Sequence, residues 1–183
     1  MLGPVRFPDG SERRSVVCEM RTAGGRKLEG YAATFGARAN IGTFIETIRP
    51  GAFRTSLLTP GRDALALLDH DPAKVLARQA NGSLRLAEDA RGLHFSLDLP
   101  NTTAGNDALA LVQSGLAGGM SFGFRATDEA WPAADQRELR AVDLFEISLV
   151  SAFPAYGQTE VSARTAARHT GAARIRAMRI ALL

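Results

Sequence analysis

The chain has 183 residues, of which 45% are hydrophobic and 22% charged, a composition typical of a single soluble globular domain. Its apolar runs are too short for a membrane span, its N-terminus lacks the apolar segment of a secretory signal, and no membrane partner is expected. The single cysteine, Cys18, excludes an internal disulfide framework and a cysteine-rich zinc site, and it favours a reducing, cytosolic compartment.

The positive charge of the chain is confined to its C-terminus. The pI near 9.6, taken alone, would suggest a nucleic-acid-binding protein. However, residues 161–183 hold five of the 22 basic residues and no acidic residue, which leaves 17 basic and 19 acidic residues, a net charge of −2, over residues 1–160. The basic character therefore belongs to a tail, and nucleic acid is not expected as the primary ligand.

The first half of the chain is predicted to form strands and one short helix. Polar residues with Gly and Pro over residues 1–14 predict a flexible N-terminal arm. Next come extended segments, a turn leading into a short helix, an apolar strand that ends before Asp71-Pro72, and a hairpin whose second strand has strictly alternating apolar residues. The extended segments are residues 15–21 and 28–35, and the turn and short helix are residues 50–57. The apolar strand is residues 64–70, and the hairpin strands are residues 84–87 and 93–99.

The second half is predicted to contain one helix, a serine-bearing strand and two further extended segments. The helix has apolar residues at helical spacing, and Gly115 is placed to end it. After the serine-bearing strand, a loop at Trp131-Pro132 is predicted, and near the C-terminus a basic amphipathic helix. The helix covers residues 106–114, the extended segments 137–143 and 144–150, and the basic helix begins at about residue 165. Together these elements predict an α+β fold, dominated by antiparallel sheet of a kind that can close into a barrel.

The segment Leu116-Ala-Gly-Gly-Met-Ser-Phe-Gly-Phe124 places Ser121 among Gly118, Gly119 and Gly123. In a strand, the large side chains of this segment share one face, and Ser121 shares the other face with Gly123. The serine face then has no bulky neighbour on its own strand, so an extended substrate backbone could approach it closely. Ser121 is therefore a candidate nucleophile, and the three glycines are candidate oxyanion or substrate-strand residues. The alternative is a structural role for the glycines, in a bulge or in close strand packing.

A serine nucleophile needs a base, and His70 is the best candidate among the three histidines. It ends an apolar strand between Asp69 and Asp71, where core residues would hold the imidazole in place. His94 lies on the polar face of its strand and is expected to be solvated. His169 lies in the arginine-rich tail and is expected to be solvated as well.

The third group of a catalytic set is predicted in the last extended segment. Strict alternation puts Glu146 on the same face as Leu144 and Ser148, and it predicts a carboxylate inside a central strand. A buried carboxylate is unfavourable without a partner, and an imidazolium is a suitable partner. The structural alternative is a buried Glu–Arg pair. Asp143 or Asp71 could also take the place of Glu146.

The pattern G-x-S-x-G at Gly119–Gly123 also fits the nucleophile elbow of the α/β-hydrolases, but its context excludes that fold. The elbow requires a strand before the serine, a helix after it, and the histidine last in the triad order. Here the predicted helix precedes Ser121, a strand follows it, and the only later histidine is His169. The sequence has no phosphate loop, dinucleotide fingerprint or chelating pair of histidines, so no cofactor or metal is expected.

Six sequence motifs occur in a fixed order between about residues 28 and 163. They are Leu28-Glu-Gly-Tyr-Ala-Ala-Thr-Phe35, Arg49-Pro-Gly-Ala-Phe53, Leu68-Asp-His-Asp-Pro72, Arg91-Gly-Leu-His-Phe95, Gly119-Met-Ser-Phe-Gly-Phe124, and Asp143-Leu-Phe-Glu-Ile-Ser-Leu-Val150 with Pro154-Ala-Tyr156. In this order they resemble the motifs of the tailed-phage prohead (capsid maturation) serine proteases. The specificity of the resemblance comes from the ordered co-occurrence and not from any single motif.

The resemblance implies a fold like that of the herpesvirus assemblins, a small, mainly antiparallel β-barrel surrounded by helices, and it suggests a homodimer. It assigns residues 15–163 to a protease domain between the N-terminal arm, residues 1–14, and a basic C-terminal tail, residues 164–183. The implied activity is that of a serine endopeptidase that cleaves scaffold and capsid-protein segments, and itself. The implied setting is the assembling procapsid of a tailed phage or phage-derived particle, in the host cytoplasm. A non-catalytic assembly factor that keeps the protease fold is the alternative.

The resemblance also implies roles for individual residues. Carried over by position, the histidine of the family falls on His70 and its serine on Ser121. Glu146 stands where the assemblins have a second histidine, and either group can accept the Nδ1 proton of His70. The oxyanion hole would be formed by backbone N–H groups, either of Gly118 and Gly119 or of the loop at residues 151–157.

Overall fold

Eleven β-strands and two α-helices form in the residues that the computed structural model describes, which are 7–16, 20–117 and 119–151. Most strands are short, because Gly, Pro and Asp interrupt the alternating apolar segments. The elements are, in chain order, β1 (Glu12–Val16), β2 (Arg21–Thr22), β3 (Lys27–Thr34), β4 (Ala39–Asn40), β5 (Ile45–Ile48), α1 (Arg54–Leu58), β6 (Leu65–Leu68), β7 (Asp71–Arg78), β8 (Leu84–Glu88), β9 (Gly92–Asp98), α2 (Thr103–Gln113), β10 (Gly119–Ala133) and β11 (Gln136–Val150).

The strands form two sheets, and β11 is the central strand of the larger one. In this larger sheet, here called the serine sheet, the order is β1-β10-β11-β5-β4, and β6 pairs both with β11 and with β7. Strand β11 pairs antiparallel with β10, while β5 and β6 run parallel to the N-terminal and C-terminal parts of its other edge. The second sheet has the antiparallel order β2-β3-β9-β8.

One hydrophobic cluster joins the two sheets. Phe95 of β9 and Phe122 and Phe124 of β10 belong to it and are fully buried. Phe53, just before α1, packs edge-on against Phe122 at a ring-centroid distance of 5.7 Å. Because the aromatic face of β10 is directed into this core, Ser121 lies on the opposite face of the strand.

The structure confirms both helices and the hairpin that were predicted for the body of the chain. Helix α1 begins within the predicted segment 50–57, and α2 covers most of the predicted segment 106–114. The side chain of Thr102 caps α2 by accepting a hydrogen bond from Gly105 N–H at 3.2 Å, and Gly115 after its end has a positive φ of 69°. Strands β8 and β9 pair antiparallel, as predicted.

Two expectations about element boundaries are wrong. Residues 12–14 were expected to belong to a flexible arm, but they lie in β1, which pairs with β10. Trp131 and Pro132 were expected to form a loop, but they lie inside β10, which forms a long hairpin with β11. Pro132 falls in a register irregularity between Ala130 and Ala133, where the ladder does not require its missing N–H.

Other expectations are left open by the fold. The described strands pair as two sheets and not as one closed barrel, so the barrel remains a prediction. The predicted basic helix from about residue 165 and the proposed domain limit at 163 lie outside the described residues. Neither helix in the described part of the chain has the length and hydrophobicity to cross a membrane.

A buried cluster of charged side chains fastens β1 to the serine sheet. Glu12 accepts hydrogen bonds from Arg137 of β11 and from Arg14, each at 2.6 Å. Glu46 of β5 accepts from the same two arginines, at 2.8 and 2.6 Å, and Glu129 of β10 also pairs with Arg137. The side chains of Arg137 and Glu12 have no exposed surface. Removing either arginine would therefore leave the buried carboxylates of Glu12 and Glu46 with one cationic partner fewer.

Replacing Arg137 by methionine is expected to lower the free energy of unfolding by about 3–5 kcal/mol, because two buried carboxylates lose a cation. Urea titration followed by circular dichroism measures this change. Arg140→Met is the matched control, since Arg140 lies on the same strand, is about half exposed and pairs with Glu138. We expect the control to change the free energy of unfolding by less than about 0.5 kcal/mol. Equal effects of the two substitutions would contradict the role given to the cluster.

The same cluster makes the stability depend on pH. Burial alone would raise the pKa of Glu12, but the hydrogen bond and charge of Arg137 and the charge of Arg14 outweigh it and hold that pKa below its ordinary value of 4.5. Glu12 therefore stabilises the fold fully above that ordinary value, and the stabilisation is lost as the pH falls toward the lowered pKa. We expect the free energy of unfolding to decrease below about pH 4.5, and to decrease less in Glu12→Gln. Parallel pH curves for the two proteins, measured by urea titration, would count against this origin.

Candidate active site

His70 lies in the two-residue turn that joins β6 to β7, just beyond the apolar strand that was predicted to end at it. Leu68 pairs with Asp71 across this turn, and Asp69 and His70 have positive φ values of 53° and 59°. Left-handed conformations at both central positions are those of a type I′ hairpin turn, which usually contains Asn and Gly. Aspartate and histidine are among the few other residues that adopt them. The turn therefore gives His70 a defined direction.

Asp69 fastens this turn to the end of β11. Its backbone N–H donates to the carbonyl of Leu149 at 2.8 Å, and its carboxylate accepts from the N–H and the hydroxyl of Ser151 at 2.7 and 2.8 Å. Strand β6 also pairs with β11, up to the pair formed by Leu149 and Leu68. The turn, β6 and the end of β11 thus form one hydrogen-bonded unit that carries His70.

A β-bulge at Phe145 sets the direction of Glu146. Gly123 pairs with Glu146 and Phe124 pairs with Leu144, so Phe145 is an extra residue in β11. Before the bulge the core side chains of β11 are Val142 and Leu144, at even-numbered positions. After it they are Ile147 and Leu149, at odd-numbered positions. The expectation of strict alternation, which put Glu146 and Leu144 on one face, is therefore wrong. The bulge leaves Leu144 in the core and directs Glu146 to the opposite face of the sheet.

Glu146 and His70 are in direct contact. Oε1 of Glu146 lies 2.6 Å from Nδ1 of His70, and Nε of Arg13, in β1, donates to the same oxygen at 3.2 Å. The side chains of His70 and Glu146 are 17% and 14% exposed, so the pair is largely removed from water. With the Nδ1 proton donated to the carboxylate, Nε2 of His70 remains as a proton acceptor. The arrangement is that of a base and the carboxylate that orients it.

Ser121 lies on β10, in register with the strands that carry the other two groups. It pairs with Ser148 of β11, which pairs with Leu67 of β6, three residues before His70. Ser121 and Ser148 are fully buried, and neither hydroxyl has a hydrogen-bond partner in the described part of the chain, His70 included. Unpartnered buried hydroxyls are uncommon, and a nucleophile that must bond to a substrate is one physical reason for them. In serine sites the bond to the base often tightens only with substrate.

Gly123 leaves room for Glu146. A Cβ at this position would lie 2.7 Å from Cγ and 3.0 Å from Oε1 of Glu146. Arg13 pairs with Gly123 on the other side, so the side chains of Arg13 and Glu146 meet across the glycine. The expectation that the glycines give clearance to a substrate chain is therefore corrected at Gly123, where a side chain of the protein fills the space.

Both edges of β10 are occupied at the serine. Ser15 of β1 pairs with Ser121 on one side, and Ser148 pairs with it on the other. An extended substrate therefore cannot join β10 as a further strand and has to approach from the face of the sheet. Gly119 is buried at the start of β10 with φ 154°. Gly118 and residues 152–157 lie outside the described residues, so the oxyanion roles remain predictions.

The other candidate residues do not reach His70. His94 packs edge-on against Tyr31 on the second sheet, with ring centroids 5.2 Å apart, and His169 lies outside the described residues. Asp143 pairs with Arg62 at 2.8 Å. The carboxylate of Asp71 accepts a hydrogen bond from Ala73 N–H, and this bond lowers its pKa from the ordinary value. Among the predicted carboxylates, the structure brings Glu146 to His70.

Arg13 is the residue of the site that the sequence did not predict. It falls within residues 1–14, which were expected to be a flexible arm, and its neighbours Glu12 and Arg14 are also charged. A run of three charged residues is usually solvated. No local signal therefore distinguished Arg13 from an exposed arginine.

The fold is that of a β-sheet protein, and its larger sheet brings a buried serine together with a histidine bonded to a carboxylate, the three residue types that serine hydrolases use. The chain belongs to the caudovirus prohead serine protease family, whose model matches residues 14–172. No curated protein matches the chain. The structure of the bacteriophage T4 capsid assembly protease, gp21, is similar, with a TM-score of 0.54 and 10% identity over 78% of this chain and 96% of that chain. At this identity the similarity shows the fold alone.

Gly123→Ala is expected to separate Glu146 from His70, because the added Cβ would occupy the space of the Glu146 side chain. In ¹⁵N-labelled protein, the downfield proton resonance of hydrogen-bonded His70 Nδ1 should be lost. The fold should persist, with a change in Tm below about 5 °C, because alanine suits a strand at least as well as glycine. Ser15→Ala on the neighbouring strand is the control and should keep the resonance. An unchanged resonance in Gly123→Ala would show that the contact does not depend on the glycine.

Proposed function

We propose that the chain is a serine endopeptidase in which Ser121 is the nucleophile, His70 is the general base, and Glu146 orients His70. The observation that carries the proposal is the 2.6 Å contact between Nδ1 of His70 and Oε1 of Glu146, on the same sheet as a buried serine. Membership of the prohead serine protease family supports a serine nucleophile and a peptide substrate.

The mechanism follows from the position of the proton on His70, which is carried by Nδ1 toward Glu146 and leaves Nε2 free to accept another. Nε2 of His70 accepts the proton of Ser121 while Oγ attacks the peptide carbonyl, and it then donates that proton to the leaving amine. Glu146 faces the positive charge that forms on the imidazole. Because this pair is largely shielded from water, the attraction is stronger than it would be in solvent. A water molecule then attacks the acyl-enzyme by the same proton path, which releases the second product.

Backbone N–H groups are proposed to stabilise the oxyanion. Gly118 and Gly119 lie just before Ser121, and the absence of a side chain there would let a substrate carbonyl approach closely. The loop at residues 151–157 is the alternative source of donors. Gly123 serves the site through the position of Glu146. Since Ser121 is fully buried, a substrate can reach it only after a local opening over the serine face.

The proposed substrates are segments of the capsid and scaffold proteins, and the chain itself. The proposed setting is the assembling procapsid in the host cytoplasm. Family membership supports this setting, and so does the fold shared with the T4 capsid assembly protease. The same proposal includes an assemblin-like barrel, a homodimer, and a protease domain that ends at residue 163 and is followed by a basic C-terminal tail. The predicted start of this domain, residue 15, moves to the beginning of β1, because Glu12–Val16 pair with β10.

Co-expression with the major capsid protein of the same particle, followed by intact-mass analysis, tests the proposal. Ser121→Ala and His70→Ala should abolish cleavage of the capsid protein and of the chain. Glu146→Gln should slow cleavage by on the order of 10³- to 10⁴-fold, because the imidazole loses its orienting carboxylate. Glu138→Gln, on the same strand, pairs with Arg140 and should cleave like the wild type.

Two outcomes would contradict the proposal. Cleavage by Ser121→Ala at the wild-type rate would exclude this serine as the nucleophile. Normal particle assembly with uncleaved capsid protein, equally in wild type and Ser121→Ala, would instead show a non-catalytic assembly factor.

A further inference from the structure

We propose that Arg13 is a positioning residue of the active site, which holds Glu146 in the orientation that His70 requires. The proposal rests on the function proposed above for Ser121, His70 and Glu146. Arg13 lies one residue before the part of the chain that the family model matches, residues 14–172. The assignment therefore depends on the contacts of this chain.

Arg13, Gly123 and Glu146 lie side by side on three neighbouring strands, β1, β10 and β11. The middle residue has no side chain, so the two outer side chains meet above it. Nε of Arg13 lies 3.2 Å from Oε1 of Glu146, and Nδ1 of His70 lies 2.6 Å from the same oxygen. Two donors on different elements thus converge on one oxygen and fix its position from two directions.

Arg13 supplies a permanent positive charge to Glu146. Within the described residues, Arg13 and His70 are the hydrogen-bonding and ion-pairing partners of Glu146, whose side chain is 14% exposed. While the imidazole is neutral, the guanidinium is the cationic partner that keeps a nearly buried carboxylate in place. A guanidinium remains charged throughout the pH range of proteins, so it holds the carboxylate both before and after proton transfer.

The side chain of Arg13 can be changed without removing β1 from the sheet. Its neighbours Glu12 and Arg14 lie on the opposite face of the strand, in the buried cluster with Arg137 and Glu46. The Arg13 side chain itself is 41% exposed, and substitutions at such positions usually have small effects on stability. The role of Arg13 in the site can therefore be separated from its role in the fold.

The test measures the reaction of Ser121 in the full chain with a fluorophosphonate probe, followed by intact-mass spectrometry. This probe reacts with activated serines and requires no knowledge of the natural substrate. Arg13→Gln should lower the saturating labelling rate by about 5- to 20-fold, while the half-saturating probe concentration changes less than about twofold. Arg13→Lys should restore most of the rate, because its ammonium also supplies a charged donor.

Arg125→Gln is the matched control. Arg125 follows Gly123 by two residues on β10, packs over the ring of Phe145 and donates to the carbonyl of Asp9, so its loss removes a nearby positive charge without touching Glu146. This variant should be labelled at the wild-type rate. An equal loss in Arg13→Gln and Arg125→Gln would overturn the proposal, since it would indicate a general effect of charge.

A double-mutant cycle separates positioning from structural support. In the Glu146→Gln background, Arg13→Gln should have no further effect on labelling, because the group it positions is gone. An equal loss in both backgrounds would show that Arg13 merely supports β1 and would overturn the proposal. If Glu146→Gln lowers the labelling rate and Arg13→Gln leaves it at the wild-type value, the role of Arg13 is wrong and the proposed function stands. If Ser121→Ala is labelled like the wild type, the proposed function fails, and the role of Arg13 fails with it.

Discussion

One carboxylate oxygen, Oε1 of Glu146, determines how the site is built. A carboxylate that is 14% exposed is unfavourable unless donors surround it, and His70 and Arg13 are these donors. Their convergence requires three departures from regular sheet: a bulge at Phe145, a residue without a side chain at Gly123, and a left-handed turn at His70. A bulge interrupts the ladder, a glycine weakens a strand, and positive φ values are unfavourable at residues other than glycine. Together they have one explanation: the bulge directs Glu146, the glycine makes room for its side chain, and the turn brings His70 to its oxygen.

Strand β1 takes part in two charge networks, one on each of its faces. Glu12 and Arg14 pair with Arg137 in the buried cluster, and Arg13 on the other face reaches Glu146. Buried ion pairs are weak sources of net stability, but breaking one is costly, so they can specify an arrangement. A one-residue slip of β1 would exchange its two faces. The slip would direct Arg13 into the cluster and remove the cation from Glu146, so the register of β1 and the geometry of the site are coupled.

Local patterns in the sequence predicted the parts of this structure that depend on neighbouring residues. The alternation over residues 93–99 matches β9, and the polar residues His70 and Glu146 stood out because they occur at apolar elements. The bulge at Phe145 and the role of Arg13 could not be predicted, because they depend on pairing between segments far apart; Arg13 and Glu146 are separated by 133 residues. From the sequence, Glu146 could be interpreted either as the partner of a histidine or as one half of a buried Glu–Arg pair. In the structure, both contacts are made by one oxygen.

The location of the backbone strain distinguishes this site from the elbow that its G-x-S-x-G pattern suggests. In the α/β-hydrolases the strained turn carries the serine and exposes it. Here Ser121 lies in a strand that is paired on both edges and fully buried, whereas the non-glycine residues with positive φ in the described part of the chain are Asp69 and His70. A strand held by hydrogen bonds on both sides moves less readily than an exposed hairpin turn. In the proposed mechanism, the adjustment that brings the imidazole to the serine hydroxyl is therefore assigned to the turn and the His70 side chain. The clamp between Asp69 and Ser151 limits how far that turn can move.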